Sequence, residues 1–89
     1  MSVNRRAARR DGNEKSIIDA LRAAGCSVQA LSAKGVPDLL VGFQGRTYLM
    51  EVKTPRGKLT TDEEAWIGNW QGQVRIVRSI EEALGVVGL

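Results

Sequence analysis

The sequence contains no histidine and only one cysteine, Cys26, among its 89 residues. Structural zinc sites need several Cys or His ligands at close spacing, and a disulfide framework needs paired cysteines. Neither kind of stabilisation is available within this chain, so any metal that it binds would be held by oxygen atoms. Without a histidine to activate it, Cys26 is predicted to be an inert core residue rather than a nucleophile.

Long hydrophobic runs are also missing. No stretch of about 18 apolar residues could span a bilayer, and the Arg-rich start is not followed by the apolar segment of a signal peptide. We therefore expect a cytoplasmic protein with no membrane contact. The length and a hydrophobic content of 43% predict one small domain with a modest core, which oligomerisation would help to stabilise.

Positive charge is concentrated at the start of the chain. Four of the 13 basic residues and none of the 10 acidic residues lie within the first ten positions, at Arg5, Arg6, Arg9 and Arg10. Residues 1–12 are predicted to form a basic flexible arm that contacts phosphates of nucleic acid, with a solvated terminus as the alternative. Residues 13–89 are then the folded domain.

Hydrophobic periodicity and turn residues predict the element order α, β, β, β, α, β, α. The expected elements are a helix over 13–24, strands over 26–31, 39–43 and 46–53, a helix capped by Thr60 or Thr61, a strand over 73–77 and a short helix opened by a capping box from Ser79 to Glu82. A strand, a helix and a further strand favour a parallel crossover, so the fold class is α/β with a mixed central sheet flanked by helices. Trp66 and Trp70 are assigned to core packing rather than to stacking on bases.

The centre of the functional argument is the hairpin closed by Gln44 and Gly45. A two-residue turn there pairs residues whose numbers add to 89, so Asp38 lies directly opposite Glu51 on the same face. Lys53, two residues beyond Glu51, returns to that face. The sequence therefore predicts a cluster of two acids and a lysine, provided that the register does not slip by one residue.

Two convergent carboxylates suit Mg²⁺ or Mn²⁺, which take oxygen ligands and keep several waters. Such an ion next to a lysine is suited to hydrolysis of a phosphodiester bond. The alternative is a surface salt bridge in which Lys53 pairs with Glu51 or Asp38.

Two further acids, Glu14 and Glu63, extend the apolar stripes of their helices and so point toward the same region. Each has a structural alternative: Glu14 in a capping box with Asp11, and Glu63 in one with Thr60. Three cations in loops are candidate phosphate contacts, with simple solvation as the alternative: Lys34, Arg56 and Lys58.

Three segments resemble the VRR-NUC domain, a branch of the PD-(D/E)XK nuclease superfamily. They are GVPDLL at residues 35–40, YLMEVK at 48–53 and LTTDE at 59–63. The resemblance implies that Glu14, Asp38, Glu51 and the carbonyl of Val52 bind the metal and that Lys53 is the catalytic lysine. Glu63 departs from the glutamine that many members have there, and it is a further active-site candidate.

The resemblance further implies a restriction-endonuclease-like core and a divalent-metal-dependent endodeoxyribonuclease. Small stand-alone members occur in phages and prophages and resemble junction-resolving enzymes, so we expect branched DNA, such as four-way junctions, as substrate and a homodimer or higher homo-oligomer. The alternatives are a catalytically inactive DNA-binding or assembly module of the same fold, and a hydrolase acting on RNA or nucleotides.

Overall fold

The computed structural model describes residues 12–89, which form three helices and four strands in the predicted order. The helices are α1 (Glu14–Ala23), α2 (Thr61–Asn69) and α3 (Ile80–Val86), and the strands are β1 (Ser27–Ala30), β2 (Leu39–Phe43), β3 (Arg46–Val52) and β4 (Arg75–Val77). Nearly all of the predicted basic arm, with its four arginines, lies outside the described residues. Within them, no helix is long and apolar enough to cross a membrane.

The four strands form one mixed sheet in the order β1-β2-β3-β4. The first three strands are antiparallel, and β4 runs parallel to β3 with Val52 paired to Val77. The predicted α/β class and the predicted parallel crossover are therefore confirmed. The predicted strand over 73–77 begins later, at Arg75, because Gln73 bonds to β3 through its side chain instead of its main chain. Its Oε1 accepts from the N–H of Leu49 (2.7 Å), and its Nε2 donates to the Leu49 carbonyl (3.2 Å).

The hairpin between β2 and β3 has the predicted two-residue turn. Gln44 and Gly45 have φ values of 52° and 79°, the left-handed conformations that a type I′ turn requires. The turn pairs Phe43 with Arg46, and the ladder ends with Leu39 opposite Met50. Continued by one residue, this register places Asp38 opposite Glu51.

One face of the sheet carries the core. Leu39, Val41 and Met50 are completely buried, and they share this face because alternate residues of a strand point the same way. The helices α1 and α3 cover it with apolar side chains, among them Ile17, Leu21 and Ala83, and Val87 directly after α3 joins them. Cys26 is also buried in this core, as predicted. The opposite face is partly open, with Leu40 and Ile76 each 37% exposed.

Helix α2 corrects the packing assigned to its tryptophans. The helix contains no buried residue, and Trp70 is 43% exposed. Trp66 and Trp70 stack on each other with ring centroids 4.6 Å apart, and the Trp70 indole donates to the Gln73 carbonyl (3.1 Å). The i,i+4 spacing was sufficient to bring the rings together, but both lie beside the open face of the sheet instead of in the core.

The last helix is capped in only one of the two ways expected. The Ser79 hydroxyl accepts from the N–H of Glu82 (3.1 Å). The Glu82 carboxylate accepts from the N–H of Arg78 (2.7 Å) instead of from that of Ser79. The second bond of the predicted capping box does not form, so the prediction of a complete capping box is wrong. Glu82 thereby fixes the residue that joins β4 to α3.

Candidate active site

A cavity of about 360 Å³ opens where β2 begins and β3 ends. The hairpin register delivers Asp38 and Glu51 to it, and α1 and α2 each begin beside it. Six of its ten lining residues are predicted site residues, and a seventh is the predicted phosphate contact Lys58. The complete lining is Asn13, Glu14, Asp38, Glu51, Val52, Lys53, Thr54, Gly57, Lys58 and Glu63.

Asp38 is held by two backbone N–H groups, one from β3 and one from the segment that follows β1. Its Oδ2 accepts from the N–H of Val52 at 2.8 Å, which ties the start of β2 to the end of β3. Its own carbonyl accepts from the N–H of Leu31 at 2.7 Å. The side chain is thus oriented by its bond to Val52, the residue next to Glu51 on β3.

Glu51 is an acid buried at the floor of the cavity, with 1% of its surface exposed. Burial, followed by the negative charges of Asp38 and Glu63, raises the pKa of Glu51 from 4.5 to about 8, against the opposing charge of Lys53. In the metal-free chain at neutral pH, the carboxyl is therefore mostly protonated. Repulsion by the opposed Asp38 carboxylate is the second-largest cause of this raised pKa.

Lys53 lies between two of these acids. Its Nζ is 2.7 Å from Oε1 of Glu63 and 3.5 Å from Oε2 of Glu51. Burial alone would lower the pKa of Lys53, but the hydrogen bond and charge of Glu63, together with Glu51, outweigh it and raise the pKa. The ammonium group therefore stays charged at neutral pH, with its position set mainly by Glu63.

Glu63 combines the two roles that the sequence left open. It forms the capping box with Thr60: the Thr60 N–H donates to Glu63 Oε1 (2.8 Å), and the Glu63 N–H donates to Thr60 Oγ1 (3.1 Å). The same Oε1 pairs with Lys53. Burial tends to raise the pKa of Glu63, but the bonds from Lys53 and Thr60 prevail and lower it. The helix cap therefore also orients the lysine.

Glu14 is the first residue of α1, and it is 6% exposed within the cavity lining. The N-cap of this helix is Asn13, and the alternative of a capping box with Asp11 lies outside the described residues. The Asn13 side chain makes no cap; instead its Nδ2 donates to the carbonyls of Lys53 (3.0 Å) and Arg78 (3.3 Å). These bonds dock the start of α1 against the ends of β3 and β4.

The other predicted phosphate contacts are more scattered. Arg56 is exposed and is not part of the cavity lining. Lys34 pairs with Asp62 (Nζ to Oδ2, 3.4 Å) and borders a different cavity, beside Trp66 and Trp70. Of the three loop cations, the structure therefore brings only Lys58 to the candidate site.

Two residues with structural roles at this site were missed by the sequence analysis, Asn13 and Arg78. The Arg78 guanidinium bonds to carbonyls of the loop after β3, and its main-chain carbonyl accepts from Asn13. Their partners are 21 to 65 positions away in the chain. No local pattern marks such contacts.

The donor set determines which metal these residues fit. Among residues 12–89, no three or more Asp, Glu, Cys or His side chains converge closely enough to hold an ion as they stand. Mg²⁺, however, commonly takes one or two carboxylates and completes its shell with water. Opposed carboxylates at Asp38 and Glu51, whose repulsion helps to hold an extra proton on Glu51, match that requirement for a hard cation.

The comparisons with known proteins bear on the fold. No protein-family model matches the sequence, and a comparison with curated proteins finds no match. Among solved structures, the chain is similar to a structure described as a VRR_NUC domain, with a TM-score of 0.68 and 24% sequence identity. The alignment covers 83% of this chain and 88% of that chain. This chain has the fold of a VRR_NUC domain. The resemblance predicted from the three sequence segments is thus confirmed at the level of fold.

Proposed function

We propose that this chain is an Mg²⁺- or Mn²⁺-dependent endodeoxyribonuclease that hydrolyses phosphodiester bonds. The observation that carries the proposal is the cavity that joins Asp38, Glu51 and Lys53 in the fold of a VRR_NUC domain. A salt bridge of purely structural use would not need two opposed acids at the floor of an open cavity, where their repulsion costs stability.

The residues have distinct roles in this proposal. Asp38, Glu51 and the carbonyl of Val52 would hold the ion, and Glu14 would contribute from the start of α1. A divalent ion bound there supplies Lewis acidity and lowers the pKa of a bound water.

Lys53 would act through its charge. Its raised pKa keeps the ammonium protonated, so it is suited to stabilising negative charge on a phosphate rather than to accepting a proton. Glu63 would position Lys53 through the 2.7 Å contact. Lys58, at the same cavity, would contact a neighbouring phosphate.

For the substrate, we propose branched DNA such as a four-way junction, bound by a homodimer. One domain of this size offers little surface for DNA, whereas a symmetric dimer presents two cavities to a substrate that itself has two-fold symmetry. The arginines at positions 5, 6, 9 and 10 would add phosphate contacts that weaken as salt rises.

The test is cleavage by Asp38→Asn, which preserves the size of the side chain and an oxygen that can accept from Val52. We expect cleavage of labelled DNA to fall by about 100-fold or more, with DNA binding and thermal unfolding close to wild type. Asp19→Asn is the matched control, because Asp19 is exposed on α1 and pairs with Lys15. If Asp38→Asn cleaved as fast as this control, Asp38 would have no role in metal binding or catalysis.

An inactive DNA-binding or assembly module of the same fold is the second candidate. The observation in its favour is that, within the described part of the chain, no three acids lie close enough together to hold a metal ion as they stand. It predicts DNA binding that is indifferent to divalent metal and unaffected by Glu51→Gln, with no cleavage under any metal. Cleavage that EDTA abolishes would exclude it.

A further inference from the structure

Arg78 holds a turn that borders the candidate active site. The turn comprises residues 54–57, directly after Lys53, and is closed by the Gly57 N–H donating to the Thr54 carbonyl at 3.0 Å. Arg78 Nη1 donates to the carbonyls at both of its ends, Thr54 (2.8 Å) and Gly57 (2.7 Å), and lies 3.4 Å from that of Pro55. One guanidinium group thus bridges the whole turn.

The main chain of Arg78 is itself fixed from two directions. Its N–H donates to the Glu82 carboxylate (2.7 Å), and its carbonyl accepts from Asn13 Nδ2 (3.3 Å), which also bonds the Lys53 carbonyl (3.0 Å). The adjacent Val77 carbonyl accepts from the N–H of Lys53 (3.0 Å). Arg78 therefore connects α1, β4 and α3 to the segment that leaves the active-site strand.

The cavity meets this turn but does not meet Arg78. Thr54, Gly57 and Lys58 are lining residues, whereas Arg78 borders a separate cavity formed by residues of β4 and α3. An effect of Arg78 on the candidate site must therefore pass through the turn. Both short bonds leave one nitrogen, Nη1, of a planar and rigid guanidinium group, whereas lysine carries its charge on a flexible stem and would hold the two carbonyls less firmly.

We propose that Arg78 is a positioning residue that keeps the 54–57 turn in one conformation, so that Lys58 is preset at the cavity to receive a phosphate of the DNA. The inference rests on the proposed function. A loop that is ordered before binding does not lose conformational freedom when substrate arrives, so the contact acts on affinity. We expect the side chains of Asp38, Glu51 and Lys53 to stay in place without it, because their contacts do not include the Arg78 side chain.

The experiment compares wild type with Arg78→Ala, Arg78→Lys and the control Arg75→Ala. Arg75 is an exposed cation at the start of β4, three residues before Arg78, so its removal matches the change in charge. Kinetics with a DNA substrate would give KM and kcat separately, DNA affinity would be measured in EDTA, and ¹⁵N relaxation would report the order of the amides at residues 56–58.

For Arg78→Ala we expect KM and the dissociation constant in EDTA to rise by about tenfold, the change typical of losing a hydrogen bond to a charged group. We expect kcat to change by less than about twofold, and the order parameters at 56–58 to fall from about 0.85 to below about 0.6. Arg78→Lys should recover only part of the affinity, and Arg75→Ala should resemble wild type. These variants also separate the loss of the charge from the loss of the guanidinium group, since Arg78→Lys keeps the charge.

Unchanged order at residues 56–58 in Arg78→Ala would overturn the inference. So would a loss of affinity that Arg75→Ala shares in full, since that result reports charge alone, or a fall in kcat with KM unchanged. If wild type neither binds nor cleaves DNA, the proposed function itself fails. If wild type cleaves DNA and Arg78→Ala matches its KM, only the role of Arg78 fails.

Discussion

Replacing Glu51 by glutamine should stabilise the folded chain at alkaline pH. Glu51 is 1% exposed, and burial, together with the charges of Asp38 and Glu63, raises its pKa to about 8. Glutamine has nearly the same shape and never ionises. The variant therefore keeps the packing at the cavity floor and removes only the cost of a buried charge.

The sign and size of this effect follow from proton linkage. The folded chain binds the Glu51 proton more tightly than the unfolded chain, in which the carboxyl has its ordinary pKa of 4.5. The stabilisation that this proton provides is complete below that value and is lost as the pH rises through about 8. Each pH unit between the two pKa values changes the free energy of unfolding by about 1.4 kcal/mol. Over this interval wild type should therefore lose about 3 to 5 kcal/mol of stability, and Glu51→Gln should not.

Urea unfolding in EDTA between pH 4.5 and 9 would measure how the free energy of unfolding depends on pH. We expect the free energy of unfolding of Glu51→Gln to exceed that of wild type increasingly as the pH rises. Glu81→Gln, an exposed acid in the first turn of α3, makes the same chemical change and should stay parallel to wild type. A constant difference between Glu51→Gln and wild type across this range would refute the reasoning.

The remaining predictions concern the cation and the hairpin. At pH 8, Mg²⁺ or Mn²⁺ at 100 times its dissociation constant should raise the unfolding free energy of wild type by about 2.7 kcal/mol in calorimetry, and by much less in Glu51→Gln; equal gains would place the ion elsewhere. In denaturant unfolding, Gly45→Ala should destabilise by about 1 kcal/mol because φ is 79°, whereas Gly68→Ala, inside α2 with open space around it, should stabilise by about 0.5 to 1 kcal/mol. Equal effects would contradict the turn argument.

The hairpin and the acids it brings together were predictable because their geometry is local. Gln44 and Gly45 fix a two-residue turn, and the two-residue period of a strand then fixes which side chains share a face. From the sequence alone, that reasoning places Asp38 near Glu51. The apolar stripes of the helices likewise placed Glu14 and Glu63 on the side facing the cavity.

The parts that escaped prediction depend on long-range contacts. Helical spacing showed that Trp66 and Trp70 meet, but it could not show that α2 lies beside the open face of the sheet and leaves Trp70 43% exposed. Asn13 was expected only within a helix start, yet its side chain bonds Arg78, 65 residues away. Such contacts follow from the tertiary arrangement of β4 and α1, which local periodicity does not encode.

The most direct test of the central claim is cleavage of labelled four-way junction, flap, duplex and single-stranded DNA by wild type and Lys53→Ala. Each reaction would be run with Mg²⁺, Mn²⁺ or EDTA, with Lys15→Ala as a control, since Lys15 is an exposed lysine on α1. We predict cleavage of branched DNA with either metal, none in EDTA, none by Lys53→Ala and wild-type rates for Lys15→Ala. Binding without cleavage under every metal, or cleavage that Lys53→Ala retains, would contradict the proposed active site.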